Sequence, residues 1–146
     1  MTRHHASQRT IALSLIGGSI HAFLALWLST VVRGGSVQGT YVPETLSGVV
    51  LTTITVVGLV LLGGVPIVLL YRMTLVAPIL AVILLFSTAF YSSYRYFEES
   101  RVTGATSLSL YYDSLFGVLW FVPLAIVLVL GGIEYVVRYG VERHAV

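Results

Sequence analysis

Four long apolar runs, separated by short polar segments, dominate the pattern along this chain. They cover approximately residues 10–32, 46–70, 75–94 and 115–137. An α-helix rises about 1.5 Å per residue, so about 20 apolar residues cross the hydrocarbon core of a bilayer. The pattern therefore predicts an all-α, polytopic membrane protein. We expect a four-transmembrane-helix bundle forming one membrane domain over residues 1–146, with outer loops at 33–45 and 95–114.

The apolar runs are rich in β-branched residues, which favour strands in water, so a β-barrel is the alternative. Outer-membrane strands alternate apolar and polar residues, whereas residues 56–62 and 79–86 are apolar throughout. Helices also satisfy their own backbone hydrogen bonds in lipid. The pattern favours helices.

The first apolar run follows Arg3 and Arg9, a combination that also occurs in secretory signal peptides. A signal peptide has an apolar core of about 7–15 residues and a small-residue cleavage site. The run here is longer, and residues 28–32 (LSTVV) offer no convincing cleavage site. We therefore expect this run to be the first membrane span.

Arginine positions predict the orientation. With four spans, the side that holds both termini and the link at 71–74 carries five arginines, and the other side carries three. An excess of basic residues marks the cytoplasmic side, so we expect a multi-pass protein of the cell membrane with both termini in the cytoplasm. Tyrosines cluster at the span ends, as interface anchors do: Tyr91, Tyr94, Tyr96, Tyr111 and Tyr112 on the outer side, and Tyr71, Tyr135 and Tyr139 on the inner side.

The composition excludes several functional classes. Hydrophobic residues make up 57% of the chain and charged residues only 10%, too few for the surface of a water-soluble fold. Cysteine is absent, which excludes disulfides, iron–sulfur ligation and thiol catalysis. The basic residues, all arginine, are dispersed among span ends, so nucleic acid is not an expected partner. The expected partner is the lipid bilayer.

Two pairs of segments suggest an internal duplication. Residues 44–50 (ETLSGVV) resemble 113–119 (DSLFGVL), and residues 62–65 (LGGV) resemble 130–133 (LGGI). A true duplication would give two parallel-repeated helical hairpins related by an axis along the membrane normal. Chance resemblance is the alternative, because membrane spans draw on a small residue alphabet. In each copy, an acid followed by Thr or Ser is expected to cap the start of a helix.

His21 lies near the middle of the first span, where an ionisable side chain is a functional candidate by default. It borders a stripe of small residues that allows another helix to approach closely: Ser14, Gly18, Ala22, Ala25 and Ser29. The structural interpretation is a neutral His21 that faces the bundle interior and is hydrogen-bonded across the interface. The functional alternatives are a proton relay, a haem or metal ligand, or a hydrogen-bond donor to a quinone.

Four more polar residues complete a candidate intramembrane site with His21: Thr52, Thr55, Ser87 and Glu134. Together they could line a polar path, although hydroxyls in membrane helices more often bond to their own helix or a neighbour. Glu134 precedes Arg138 by one helical turn, which predicts an interfacial ion pair.

Two further local features follow from spacing. Residues 95–101 are expected to extend the third helix beyond the lipid, with an Arg95–Glu99 pair on one face. Pro123 is expected to bend the fourth span.

The sequence contains no Ser-His-Asp set, paired intramembrane carboxylates, phosphate-binding glycine loop or metal-ligand cluster. It therefore predicts no catalytic residues, no cofactor and no metal. The first hypothesis is a non-catalytic accessory or scaffold subunit of a membrane complex, with other membrane subunits or a homo-oligomer as partners. The second is a small oligomeric transporter or channel with a polar path near His21, and the third is a membrane-embedded enzyme or cofactor-binding subunit.

Overall fold

The computed structural model describes residues 2–33, 45–103 and 119–142. Within these ranges the chain forms four α-helices: α1 (Thr2–Arg33), α2 (Leu46–Met73), α3 (Ala77–Thr103) and α4 (Phe121–Glu142). Each helix contains a segment long and apolar enough to cross a membrane, and α2 is the most apolar, with a mean hydropathy of 2.5. The predicted all-α fold with four membrane-spanning helices is confirmed.

The helix ends agree with the local signals in the sequence at two points. Thr45 accepts the Gly48 N–H at 3.2 Å through its hydroxyl, which confirms the predicted cap at the start of α2. The α3 helix continues to Thr103, so the first part of the expected outer loop is helical, and Arg95 Nη2 lies 3.0 Å from Glu99 Oε1. Residues 34–44 and 104–118, which hold most of both outer loops and the start of the expected fourth span, lie outside the described residues.

Pro123 does not bend α4, and that prediction was wrong. The helix begins at Phe121, after a turn in which Val122 N–H donates to the Leu119 carbonyl oxygen at 2.9 Å. Pro123 is therefore in the first helical turn. Backbone N–H groups in that turn have no acceptor within the helix, so a proline there removes no helical hydrogen bond.

The four helices pack against one another as a bundle. α1 packs most closely on α2, and α3 packs mainly on α4. The central helices α2 and α3 contact each other, α1 also contacts α3, and α2 also contacts α4. Within the described ranges no substantial contact joins α1 to α4. These two helices therefore occupy opposite corners of the bundle.

The α1–α2 interface is built from the small residues that the sequence placed along α1. Gly18, Ala22, Ala25 and Ser29 are buried, and Ser14 is half-buried. A Cβ atom added at Gly63 of α2 would lie 2.5 Å from the His21 Cβ and 3.0 Å from the Gly18 Cα. A Cβ atom added at Gly18 would meet the Val60 carbonyl oxygen. The two backbones are close enough to require glycine, which confirms the stripe as a helix-packing face.

Phe86 of α3 joins the two halves of the interior. One buried cluster consists of Ala22 and Ala25 of α1 with Leu59 of α2. The other cluster connects α2, α3 and α4 and consists of Leu62, Ala81, Val82, Ala89 and Val127. Phe86 packs against both clusters. It therefore contributes to the packing of the α1–α2 pair against the α3–α4 pair.

Large apolar side chains also cover the outside of the bundle. On α1, Phe23 is 67% exposed and Trp27 is 50% exposed, and on α4 Val136 is 66% exposed. So many exposed apolar side chains would make a protein prone to aggregate in water, but they are favourable against lipid tails. The tyrosines Tyr71, Tyr91, Tyr94, Tyr135 and Tyr139 are exposed near the ends of the spans, as anchors at a membrane interface would be.

The two glycine pairs of the apparent repeat have different surroundings. A Cβ atom on Gly64 would lie 2.9 Å from the Ser14 carbonyl oxygen, whereas one on Gly131 would lie 2.9 Å from the Pro78 Cγ. A Cβ atom on Gly132 would have no neighbour within 4 Å. Only the first pair therefore brings two backbones together. The duplication itself stays a prediction.

Gly64→Ala and Gly132→Ala form a matched pair of variants in nearly the same local sequence. In Gly64→Ala the methyl group meets a backbone carbonyl, so we expect the free energy of unfolding to fall by about 1–3 kcal/mol. In Gly132→Ala the methyl group has open space, so we expect no loss, or a gain of up to about 1 kcal/mol from helix propensity. Thermal unfolding in detergent, followed by circular dichroism, measures both, and equal effects would contradict the close α1–α2 contact.

Candidate functional site

The turn between α2 and α3, residues 74–76, depends on an uncommon backbone conformation at Thr74. Thr74 has φ 54° and ψ 27°, the left-handed region, which β-branched residues rarely adopt. Its N–H donates to the Leu70 carbonyl oxygen at 2.9 Å, and Leu75 N–H donates to the Leu69 carbonyl oxygen at 3.4 Å. These bonds close the end of α2. The conformation costs about 1–2 kcal/mol, so surrounding contacts must hold it.

Glu134 of α4 caps the start of α3 from across the interface. Val76 N–H donates to Glu134 Oε1 at 3.1 Å, and Ala77 N–H donates to Glu134 Oε2 at 2.7 Å. The Val76 carbonyl oxygen accepts the first hydrogen bonds of α3, so Val76 stands at the N-cap position but has no capping side chain of its own. The carboxylate supplies both missing acceptors and lies at the positive end of the α3 dipole.

Two more residues of α4 hold the same turn. Arg138 Nη1 donates to the Thr74 carbonyl oxygen at 2.5 Å and to the Thr74 hydroxyl at 3.2 Å. The Tyr139 hydroxyl donates to the Met73 carbonyl oxygen at 3.2 Å. We call Glu134, Arg138 and Tyr139 the turn clamp. These contacts explain why threonine is tolerated in the left-handed conformation at position 74, because its carbonyl oxygen and its hydroxyl both accept hydrogen bonds from Arg138.

The expected Glu134–Arg138 ion pair is present at 4.0 Å, but the carboxylate makes its hydrogen bonds to the backbone of α3. Sequence reasoning missed this capping role because the partners are more than fifty residues apart. One signal was available in the sequence. The start of α3 has no Ser, Thr, Asp or Asn at the position before Ala77, so its N–H groups needed an acceptor from elsewhere.

His21 of α1 faces Gly63 of α2 and Phe86 of α3. Its ring centroid is 5.0 Å from that of Phe86, and Phe86 lies 4.5 Å from Phe90. The His21 Nε2 atom is buried and has no hydrogen-bond partner in the part of the chain that the structure describes. The side chain thus faces the interior as predicted, but the predicted hydrogen bond across the interface is absent at Nε2. A buried polar atom without a partner costs about 1–3 kcal/mol.

The hydroxyl candidates lie mainly toward the outside of the bundle. Thr52 is half-buried and lines a shallow surface groove on α2 whose other lining residues are Val49, Thr53, Val56 and Val57. Thr55 is half-buried, and Ser87 is exposed. Hydroxyls that bond to their own helix are found at Thr53, which donates to the Val49 carbonyl oxygen at 2.8 Å, and at Thr88, which donates to the Leu84 carbonyl oxygen at 2.8 Å.

The structure does not bring the five candidate residues to one place. His21 is level with Gly63, and at 1.5 Å per residue Thr55 lies about 12 Å from that level along α2, and Thr52 about 16 Å. Glu134 contacts the start of α3, about 14 Å along that helix from Phe86. In the described ranges, no three His, Asp or Glu side chains are grouped as metal ligands. The arrangement separates a structural clamp at one end of the bundle from the half-buried His21 near the middle.

Glu134→Ala is expected to weaken the fold more than Tyr139→Phe. The first change removes both acceptors for the start of α3, whereas the second removes one hydrogen bond to the Met73 carbonyl oxygen. We expect the melting temperature in detergent to fall by on the order of a few degrees or more for Glu134→Ala. Ser87→Ala, at an exposed position, is the control and should melt like the unmodified protein. A Glu134→Ala variant that melts like Ser87→Ala would refute the capping role.

Comparisons with protein families, with curated proteins and with solved structures give no match to this chain.

Proposed function

We propose that this protein is a non-catalytic accessory or scaffold subunit of a membrane complex. The proposal places it in the cell membrane with both termini in the cytoplasm, the orientation that the arginine excess favours. Its partners are other membrane subunits or further copies of the chain. The observation that carries the proposal is the use of polar side chains for structure rather than for chemistry.

Glu134 is the clearest example of that use. A carboxylate in a membrane span is a functional candidate by default, but both oxygens of Glu134 accept backbone N–H groups at the start of α3. Thr30 and Thr53 likewise donate to carbonyl oxygens of their own helices at 2.8 Å. Side chains committed to these bonds are poorly suited to bind and release a substrate.

The arrangement of the helices also suits a subunit that contacts other membrane proteins. Because α1 and α4 lie at opposite corners, each presents a long apolar face to its surroundings. α4 is attached to the bundle mainly by a narrow buried face that includes Pro123, Val127 and Gly131. Its remaining surface is available for lipid or for a neighbouring helix.

Isolation of the full chain from its membrane in a mild detergent tests the proposal. We expect particles whose protein mass exceeds that of one chain, because a subunit retains its partners when the lipid environment is replaced gently. Size-exclusion chromatography with light scattering gives the protein mass, and mass spectrometry identifies what co-purifies. A stable monomer without partners would overturn the proposal.

The second candidate function, a small transporter or channel, is favoured by one observation: the buried Nε2 of His21 has no partner within the described residues. A polar atom kept in the interior without a structural bond is the kind of group that binds a transported proton or solute. The small-residue interface beside it positions the ring against Phe86.

His21→Leu separates the two candidate functions. For a scaffold, an apolar side chain of similar size removes an unsatisfied polar atom, so we expect an unchanged or higher melting temperature and unchanged partner binding. For a carrier, the same variant should be stable but should abolish solute or proton flux in proteoliposomes. Thr88→Val, at an exposed position where the hydroxyl bonds only to its own helix, is the control for flux. A flux lost in His21→Leu and retained in Thr88→Val would replace the scaffold proposal with the carrier.

A further inference from the structure

The guanidinium of Arg138 is fixed at one edge by contacts with the α2–α3 turn, and its other edge makes no hydrogen bond with the described residues. Nη1 uses its two N–H groups on the Thr74 carbonyl oxygen and hydroxyl. Within the described ranges, the Nε and Nη2 groups have no protein acceptor, and the side chain is 49% exposed. The Nε–Nη2 edge of a guanidinium presents two parallel N–H donors that match two oxygens of a phosphate or carboxylate. Arg138 thus holds a bidentate edge in a fixed position at the end of the bundle that carries the α2–α3 turn.

Among the described residues at this end of the bundle, positive charges outnumber negative ones. The nearest described carboxylate, Glu134, directs its oxygens to Val76 and Ala77 N–H groups and lies 4.0 Å from Arg138 Nη1. Its negative charge is therefore largely balanced by the N-terminus of α3. Arg72, two residues before Thr74, is exposed in the last turn of α2 and adds a second positive charge at the same end.

The surface next to Arg138 changes from polar to apolar over one helical turn. Tyr135 and Tyr139 form a tilted aromatic pair with centroids 4.8 Å apart, and both are exposed. Val137, the residue before Arg138, is 62% exposed. A ligand that places an oxyanion at Arg138 and apolar chains along Val137 and Tyr135, which flank it on the helix, satisfies both parts of the surface.

We propose that Arg138 binds the phosphate group of an anionic phospholipid at the end of the bundle that carries the α2–α3 turn. The phosphate oxygens accept the Nε and Nη2 N–H groups, Arg72 contributes attraction, and the acyl chains lie against the exposed side chains of Val137 and Tyr135. The lipid also stabilises the turn clamp, because it holds the guanidinium that supports Thr74. This site is independent of whether the protein is a scaffold or a carrier.

The test uses the full chain in detergent micelles that contain either phosphatidylglycerol or phosphatidylcholine. Native mass spectrometry counts retained lipids, and thermal unfolding reports the stabilisation that they give. We expect the unmodified protein to retain phosphatidylglycerol preferentially and Arg138→Gln to weaken that retention about tenfold. Arg138→Lys keeps the charge without the bidentate edge, so it should show an intermediate loss even if Arg138→Gln proves too unstable to purify.

Two control variants separate the lipid site from damage to the turn and from net charge. Tyr139→Phe loosens the same turn but leaves the guanidinium, and Arg95→Gln removes a positive charge at the opposite end of α3, so both should keep the lipid preference. An unchanged preference in both Arg138 variants, or an equal loss in Arg95→Gln, would overturn the proposal. Displacement of the lipid by millimolar inorganic phosphate would show a site for free phosphate instead, and would also overturn it.

Discussion

The hydrocarbon interior of a bilayer supplies no hydrogen-bond donors or acceptors, and this constraint shapes every part of the molecule. Along the helices the backbone satisfies itself. At helix ends the first N–H groups and last carbonyl groups need partners from outside the helix, and the turn at 74–76 is the clearest case. There the chain places Thr74 in a left-handed conformation, and Glu134 supplies the two acceptors that α3 lacks. The polar residues of α4 thus serve first as hydrogen-bond partners for the backbone of the α2–α3 turn.

Lipid tails are as apolar as leucine, so burial of apolar surface gives helices little reason to associate in a membrane. Close van der Waals packing between the helices must supply the stabilisation instead. The α1–α2 pair achieves it with Gly18 and Gly63, where backbone meets backbone, whereas the α3–α4 pair uses Gly131 against a proline ring. The first hairpin is consequently the more tightly packed, and Phe86 connects it to the second.

These two constraints account for several polar side chains that could have suggested chemistry. Glu134, Arg138 and Tyr139 hold a turn, and Thr53 and Thr88 bond to their own helices. His21 differs, because its Nε2 atom is buried next to Phe86 without a structural bond among the described residues. The scaffold function requires only packing from the His21 side chain, whereas the carrier function requires its Nε2 atom to bind a proton or a solute. The open edge of Arg138 is a separate feature that concerns the lipid environment.

The sequence by itself determined the number of membrane helices, because the length of an apolar run and the thickness of the bilayer are enough to define a span. It also determined features that depend on residues within one turn of each other, such as the Thr45 cap, the Arg95–Glu99 pair and the small-residue face of α1. Only the tertiary structure decided that Glu134 caps α3, that Gly64 is packed while Gly132 is open, and that His21 Nε2 has no hydrogen-bond partner among the described residues. Each of these features depends on how far one helix is shifted along its axis, and how far it is rotated, relative to a neighbouring helix. Local periodicity carries no information about either quantity, because contacts between residues far apart in the chain set them.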